Sequence, residues 1–252
     1  MDLLDRTYPS ARDLLDRVDA TLLAGGVPPG HPILALLRRL GALPGDVAAH
    51  LAEVAPGPLI AAGDPLGRQA DGYEAAQASV PMPAAWRGPA AEGYAAQWST
   101  LSGYLAGDPA SMAGRLRATA SYLDDLVAWL VRGRRALAGT LAECLGSAEA
   151  ATLRASARSA VGGVVGGALS GGALAGGAVS GGPAGGGFAP AGTSRDAVTA
   201  AADLGAHVLG TAAEILHDGQ RVVDAWVGRL DALPYPSSPT VAIGTGGHLE
   251  LG

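Results

Sequence analysis

Glu214-Ile-Leu-His217 is the one place where the spacing of reactive side chains suggests chemistry. Residues three apart share a helix face, so this carboxylate and imidazole would converge as they do in di-iron helical bundles. Such bundles need a second Glu-x-x-His motif and two further carboxylates. The chain offers one motif, which favours a solvated helix face over a metal site. Asp124-Asp125 could ligate a cation, but an exposed acidic step on an amphipathic helix is the commoner origin of such a pair. Cys144 is the only cysteine, which excludes an intramolecular disulfide and a cysteine-based metal cluster. It reads as a small buried apolar residue rather than a nucleophile. His31, His50, His207 and His248 are scattered, and no nucleophile–base constellation stands out. The glycine-rich run after residue 160 has no G-x-x-x-x-G-K-[ST] and no preceding strand, so phosphate cradling is unsupported. The expectation is therefore a protein without catalytic residues, metal or cofactor, and not an enzyme.

The elements that carry these residues read as helices. Aromatics make up 4% of the 252 residues, and β-branched runs are nearly absent. A core must then be built from Leu, Val and Ala, which favours close helix–helix packing. All seventeen basic residues are Arg, and the chain contains no Lys and no Asn. No folding rule demands that; the simplest cause is a GC-rich genome, and a high-GC actinobacterium is the expected source. The net charge of −6 leaves no basic stripe to neutralise phosphates, so nucleic acid is not an expected partner. The start, MDLLDRTYPS, lacks an apolar h-region, and no cleaved signal peptide is expected.

Punctuation along the chain places the helices. Ser10 with Asp13 resembles a capping box, followed by an apolar face of Leu14, Val18 and Leu22 and a stop at Gly25-Gly26. A short helix follows over Ile33 to Leu40, and another around Val47 to Val54. Asp64-Pro65 has the form of an N-cap and first helical residue. Pro81 and Pro83 end that helix, and Gly88-Pro89 opens the next, with Tyr94, Trp98, Leu101 and Leu105 on one face. Gly107-Asp108-Pro109 breaks or kinks it. From about Ser111 to Leu145 a long helix carries Leu116, Leu123, Leu130 and Leu137 seven apart, widened by Leu126, Val127 and Leu141. Sustained sevenfold spacing means a seam packed at a shallow angle on another helix.

No residue from Ser159 to Ser194 is charged, and thirteen of the 39 glycines lie between 162 and 187. Glycine this dense disfavours an isolated helix. The plain reading is a flexible linker. The small-x-x-x-small spacing of Gly163, Gly167 and Gly171 keeps a membrane-associating glycine zipper open, as it does a Gly-rich helix buried in an oligomer. Ser194 then caps a final long helix to about Leu233. Its seam of Val198, Ala201, Gly205, Val208, Ala212, Ile215, Gly219, Val222 and Trp226 must be buried against something. The 111–145 helix of the same chain, a second copy of the chain or another helical protein would serve. Three Pro and four Gly beyond Leu233 indicate a disordered tail.

Trp86-Arg87-Gly88 lies between two amphipathic segments, ahead of Pro89-Ala-Ala-Glu-Gly-Tyr94 and the heptad helix. Over roughly residues 64–145 the sequence here resembles the WxG (ESX) superfamily of helical-hairpin proteins exported by type VII secretion. The resemblance implies that Trp86 and Gly88 form the hairpin tip. It also implies a bipartite export signal with a tyrosine motif, Y-x-x-x-[DE], which only Tyr104 and Asp108 can supply. Two departures stand out. The tyrosine motif follows the turn by under twenty residues instead of trailing the second helix, and the helix before Trp86 reads as short. The bland alternatives are an aromatic plug for Trp86 and a core-facing Tyr104.

The expected fold is all-α. Short N-terminal helices would fill residues 1–60 and an elongated WxG-like hairpin or bundle 64–158. A glycine-rich linker or zipper would fill 159–193, a long amphipathic helix 194–233, and a disordered tail 234–252. What the resemblance implies is a non-enzymatic type VII substrate or secretion-associated protein, secreted or in the cell envelope. It would associate with itself, with another helical WxG-type protein and with the secretion machinery. A membrane-perturbing effector using the glycine-rich segment is one alternative. A cytosolic helical scaffold, with the W-x-G accidental, is the other.

Overall fold

The computed structural model describes residues 2–80, 85–169 and 194–233. Among them every regular element is a helix: α1 (Leu3–Gly25), α2 (Ile33–Leu40), α3 (Pro44–Glu53), α4 (Gly57–Ser79), α5 (Pro89–Leu105), α6 (Met112–Gly146), α7 (Ala148–Leu169) and α8 (Arg195–Asp231). The all-α expectation holds. The expected tail and residues 170–193 of the glycine-rich run lie outside the described residues. The chain divides into two compact units, Met1–Ala55 with Val131–Asp218, and Pro56–Leu130 with Gly219–Gly252, so α6 and α8 each contribute to both.

In the first unit α1 starts at Leu3, not near Ser10. Its N-cap is Asp2, which forms a capping box with Asp5: Asp5 N–H donates to Asp2 Oδ1 (3.0 Å) and Asp2 N–H to Asp5 Oδ2 (2.8 Å). Pro9 lies inside the helix, although it removes one ladder donor. The buried stripe Leu4, Ala11, Leu14, Leu15, Val18 and Leu22 runs through that position, and its packing overrides the local break. α2 spans the expected residues and ends on Gly41 in the left-handed conformation (φ 66°). α3 begins at Pro44, three residues before the expected start, because proline suits the first turn.

The seam of α8 is covered by the chain itself. Val208, Leu209 and Ala212 are fully buried, and Ile215 nearly so. Gly205 gives α8 its closest approach: a Cβ there would stand 2.6 Å from Ile33 Cδ1 and 3.0 Å from Pro44 Cγ. Antiparallel pairing with α6 follows from Gly133 against Ile215 and from the Thr140–Thr211 hydroxyl pair (2.9 Å). Of the ways in which this seam could be buried, the structure shows packing back on α6. Small residues let it close against its own chain. Of the glycine-rich segment, the described part, residues 159–169, is helical, in keeping with the zipper and packed-helix readings and not with the linker. Ser147 Oγ caps α7 by accepting from Ala150 N–H (3.1 Å), and Ala150 and Leu153 are buried. The alanine-rich start carries the helix on to Leu169.

In the second unit α4 begins at Gly57, with Pro58 in its first turn, and continues through Asp64-Pro65. That pair is not a helix start, and at 23 residues the helix before Trp86 is not short. Ala70, Ala106 and Ala113 form a small core with Tyr73 and Leu116 against it. Arg117 of α6 pairs with Glu74 through both of its terminal nitrogens and with Asp71 at 3.0 Å. That hydrogen bonding holds the Glu74 carboxyl below its usual range. α8 packs Gly219 on the Trp129 ring, where a Cβ would stand 2.6 Å from Cζ2.

Candidate functional site at the tryptophan turn

α4 ends at Ser79, and Gly88 with Pro89 opens α5 as the sequence indicates. Gly88 has φ 98°, a conformation that a side chain makes strained. Gly88 C=O accepts from Ala91 N–H (2.9 Å) and Glu92 N–H (3.1 Å), which fixes the start of the helix. Trp86 is 52% exposed. Its ring meets Tyr94 edge-on, with centroids 5.6 Å apart and planes at 65°. Trp86, Arg87, Glu92 and Tyr94 border a cleft of about 270 Å³.

α5 has no buried residue. Its apolar stripe of Ala91, Tyr94, Trp98, Leu101 and Leu105 is only half covered, and Glu92 is its one charged residue. The side-chain bond from Gln77 Nε2 to Ser102 Oγ (2.5 Å) joins the last turn of α4 to the last turn of α5. Ser102 lies thirteen residues into α5, so roughly 20 Å of helix leads from Trp86 to that contact with little against it.

Tyr104 and Asp108 are not brought together as a motif. α5 stops at Leu105 and Gly107 turns the chain at φ 98°, so the helical relation that would align them is lost. Asp108 instead builds the α5–α6 turn. Its Oδ1 accepts from Ala110 N–H (2.7 Å), and its carbonyl accepts from Ser111 N–H and the Ser111 hydroxyl. Half-buried Tyr104 stands at the opposite end of α5 from Trp86.

Among the proposed interface residues, Leu130, Leu137, Val208, Ile215 and Trp226 are buried. Leu116, Leu123 and Val222 are half-buried. Glu214 and His217 are both exposed. Among the described residues no three His, Cys, Asp or Glu side chains are grouped to hold a metal ion. Asp125 accepts the buried Trp226 indole N–H at 2.7 Å, a structural use for the acidic step. Cys144 is buried, and desolvation, reinforced by Glu143 and Glu149, pushes its thiol up to about 11. It is not poised as a nucleophile. No described helix is long and apolar enough to cross a membrane.

Sequence reasoning missed Arg134, the most heavily bonded side chain of the first unit. Its side chain is 2% exposed. Nη1 donates to the carbonyls of Leu51 (2.8 Å), Ala52 (2.9 Å) and Val54 (2.8 Å) at the C-terminal end of α3. Nε and Nη2 meet Asp2 and Asp5 at 2.5 Å each. One cation thus satisfies a helix C-terminus and ties it to the capping box of α1. The Arg134 hydrogen bond holds the Asp2 carboxyl down at about 2, against the opposing effect of burial. No family model, curated protein or solved structure matches the chain.

Proposed function

We propose that the protein is a non-enzymatic type VII secretion substrate or secretion-associated protein that acts through helix-mediated association. The observation that carries this reading is the Trp86 turn. An exposed tryptophan, braced on Tyr94, stands at the start of a helix with no buried residue. Tryptophan and tyrosine left on such a surface are anchors for a partner. The length of α4 removes one of the two departures from the WxG pattern, since helices of 23 and 17 residues flank the turn. With the α8 seam covered internally, the half-covered stripe of α5 becomes the surface for a second copy or another helical protein. Tyr104 and Asp108, separated by a helix end, contribute less to the export signal than Trp86 and Gly88.

The test is export from a host with an active, complete type VII apparatus. The wild-type chain is expected in the culture medium or envelope. Trp86→Ala is expected to reduce that fraction at least tenfold while the urea midpoint of the purified protein shifts little, because the side chain is half exposed. Retention of the wild-type chain in the cell, or export of Trp86→Ala at wild-type level, would sink the proposal.

A further inference from the structure

Among the described residues, which include all seventeen arginines, Arg87 alone lies outside a helix. The chain has no Lys. Residues 85–90 are all exposed. Among the described residues no backbone hydrogen bond involves Ala85, Trp86 or Arg87, and the Arg87 side chain meets no acceptor. The Arg87 carbonyl and the Gly88 N–H are therefore both free along the bond that joins them. Gly88 can also leave its φ of 98° for an extended form without a side chain to hinder it.

We propose that the Arg87–Gly88 bond is a processing site for an arginine-specific serine endopeptidase, and that cutting it unlatches the tryptophan turn. Such an enzyme holds a guanidinium against a carboxylate in its primary pocket and binds the flanking residues extended. A helical arginine must be unwound over several residues before it can bind that way, whereas residues 85–88 already lie outside any helix. In the cut, the C–N bond between Arg87 and Gly88 breaks. Water gives its hydroxyl to the Arg87 carbonyl carbon and a proton to the Gly88 nitrogen. The new ammonium then stands at the start of α5, beside the positive end of the helix dipole. α5 has no buried residue to resist this, and its bond from Gln77 to Ser102 lies near the far end. The first turns of α5 and the Trp86–Tyr94 contact therefore come loose together, while the core of Ala70, Ala106 and Ala113 stays closed. The rival sites are arginines at helix ends. Arg39 lies in the last turn of α2, Arg195 opens α8 in front of Asp196, and Arg229 is held 4.8 Å over the Trp226 ring. This inference does not depend on the secretion reading.

The experiment is limited digestion of the full native chain with trypsin, read by intact mass. The first products are expected to be 1–87 and 88–252, formed at least about tenfold faster than any other cut, since every rival bond waits on local opening. Arg87→Gln should leave the chain whole over the same interval, with an unchanged urea midpoint. The lack of Lys permits a second arm without competing sites. A lysine-specific endopeptidase should cut native Arg87→Lys at once, and native Arg195→Lys only after urea is added. In the nicked chain, amide hydrogen exchange over residues 90–98 should rise at least about fivefold, with α1 unchanged. A first cut at Arg39, Arg195 or Arg229, digestion of Arg87→Gln at the wild-type rate, equal cutting of the two lysine variants, or unchanged exchange in the nicked α5 would each overturn the proposal.

Discussion

Arg134→Met is expected to lower the unfolding free energy of the chain by about 1.5–3 kcal/mol, because the carbonyls at the end of α3 lose a charged donor while Asp2 and Asp5, 40% and 35% exposed, are left to water. Methionine keeps most of the aliphatic volume, so the loss isolates the guanidinium. Three carbonyls at the end of α3 then lose their donor, and Asp2 and Asp5 are left facing each other at the start of α1. Arg134→Lys should recover little, since one ammonium cannot span five acceptors arranged around a planar fork. Urea unfolding followed by helical circular dichroism measures the effect, and a loss under 1 kcal/mol would mean that water replaces the fork. A second readout is specific to the pairing. The Asp2 carboxyl, held at about 2 beside Arg134, should return toward its ordinary value near 3.9 in the variant. The acid limb of stability would then move up in pH with it, as expected for a depressed carboxyl that loses its partner.

Trp226→Ala should cost about 3–5 kcal/mol, the range for emptying a buried aromatic site. The ring is 8% exposed, sits 5.9 Å from Tyr122 at a tilt of 50°, and carries the Arg229 guanidinium 4.8 Å over its face. Its N–H donates to Asp125. The two contributions can be separated. Asp125→Ala leaves a buried indole N–H without its acceptor, at a cost of about 1–3 kcal/mol, whereas Trp226→Phe keeps most of the ring and frees Asp125 to water. A Trp226→Ala loss no larger than that of Asp125→Ala would show that the ring packs loosely and that the hydrogen bond alone fixes α8 there.

Periodicity made the fold class and the long helices legible, and the boundaries failed where tertiary packing outweighed local punctuation. Ser10 with Asp13, and Asp64 with Pro65, are good start signals by propensity, yet both lie inside helices whose true starts are Asp2-capped Leu3 and Gly57. Proline at those positions removes one donor, while the apolar stripe of α1 on either side of Pro9 stays buried. α7 was hidden for the reverse reason, since its alanine-rich beginning is masked by the glycines that follow. The W-x-G turn is local, so its residues could be read directly. Arg134 could not, because its partners lie 80 to 132 residues away and Arg-Gly-Arg-Arg gives no hint of which guanidinium turns inward. The α8 seam was legible as a buried face, but its occupant was not. Glycines at 133, 205 and 219 are the matching notches, and a notch is recognisable only beside its knob.

The absence of any buried residue in α5 bears on how the chain could be handled by a machine. Local opening free energy follows the apolar contacts that opening breaks. α5 has few, whereas α1 and the α8 segment of the first unit have many. A protease at native pH should therefore nick between residues 89 and 101 well before it reaches the cores, and do so without denaturant. The same property gives anything that pulls on the Trp86 tip a handle that detaches first, so the force it applies need not melt the first unit to begin.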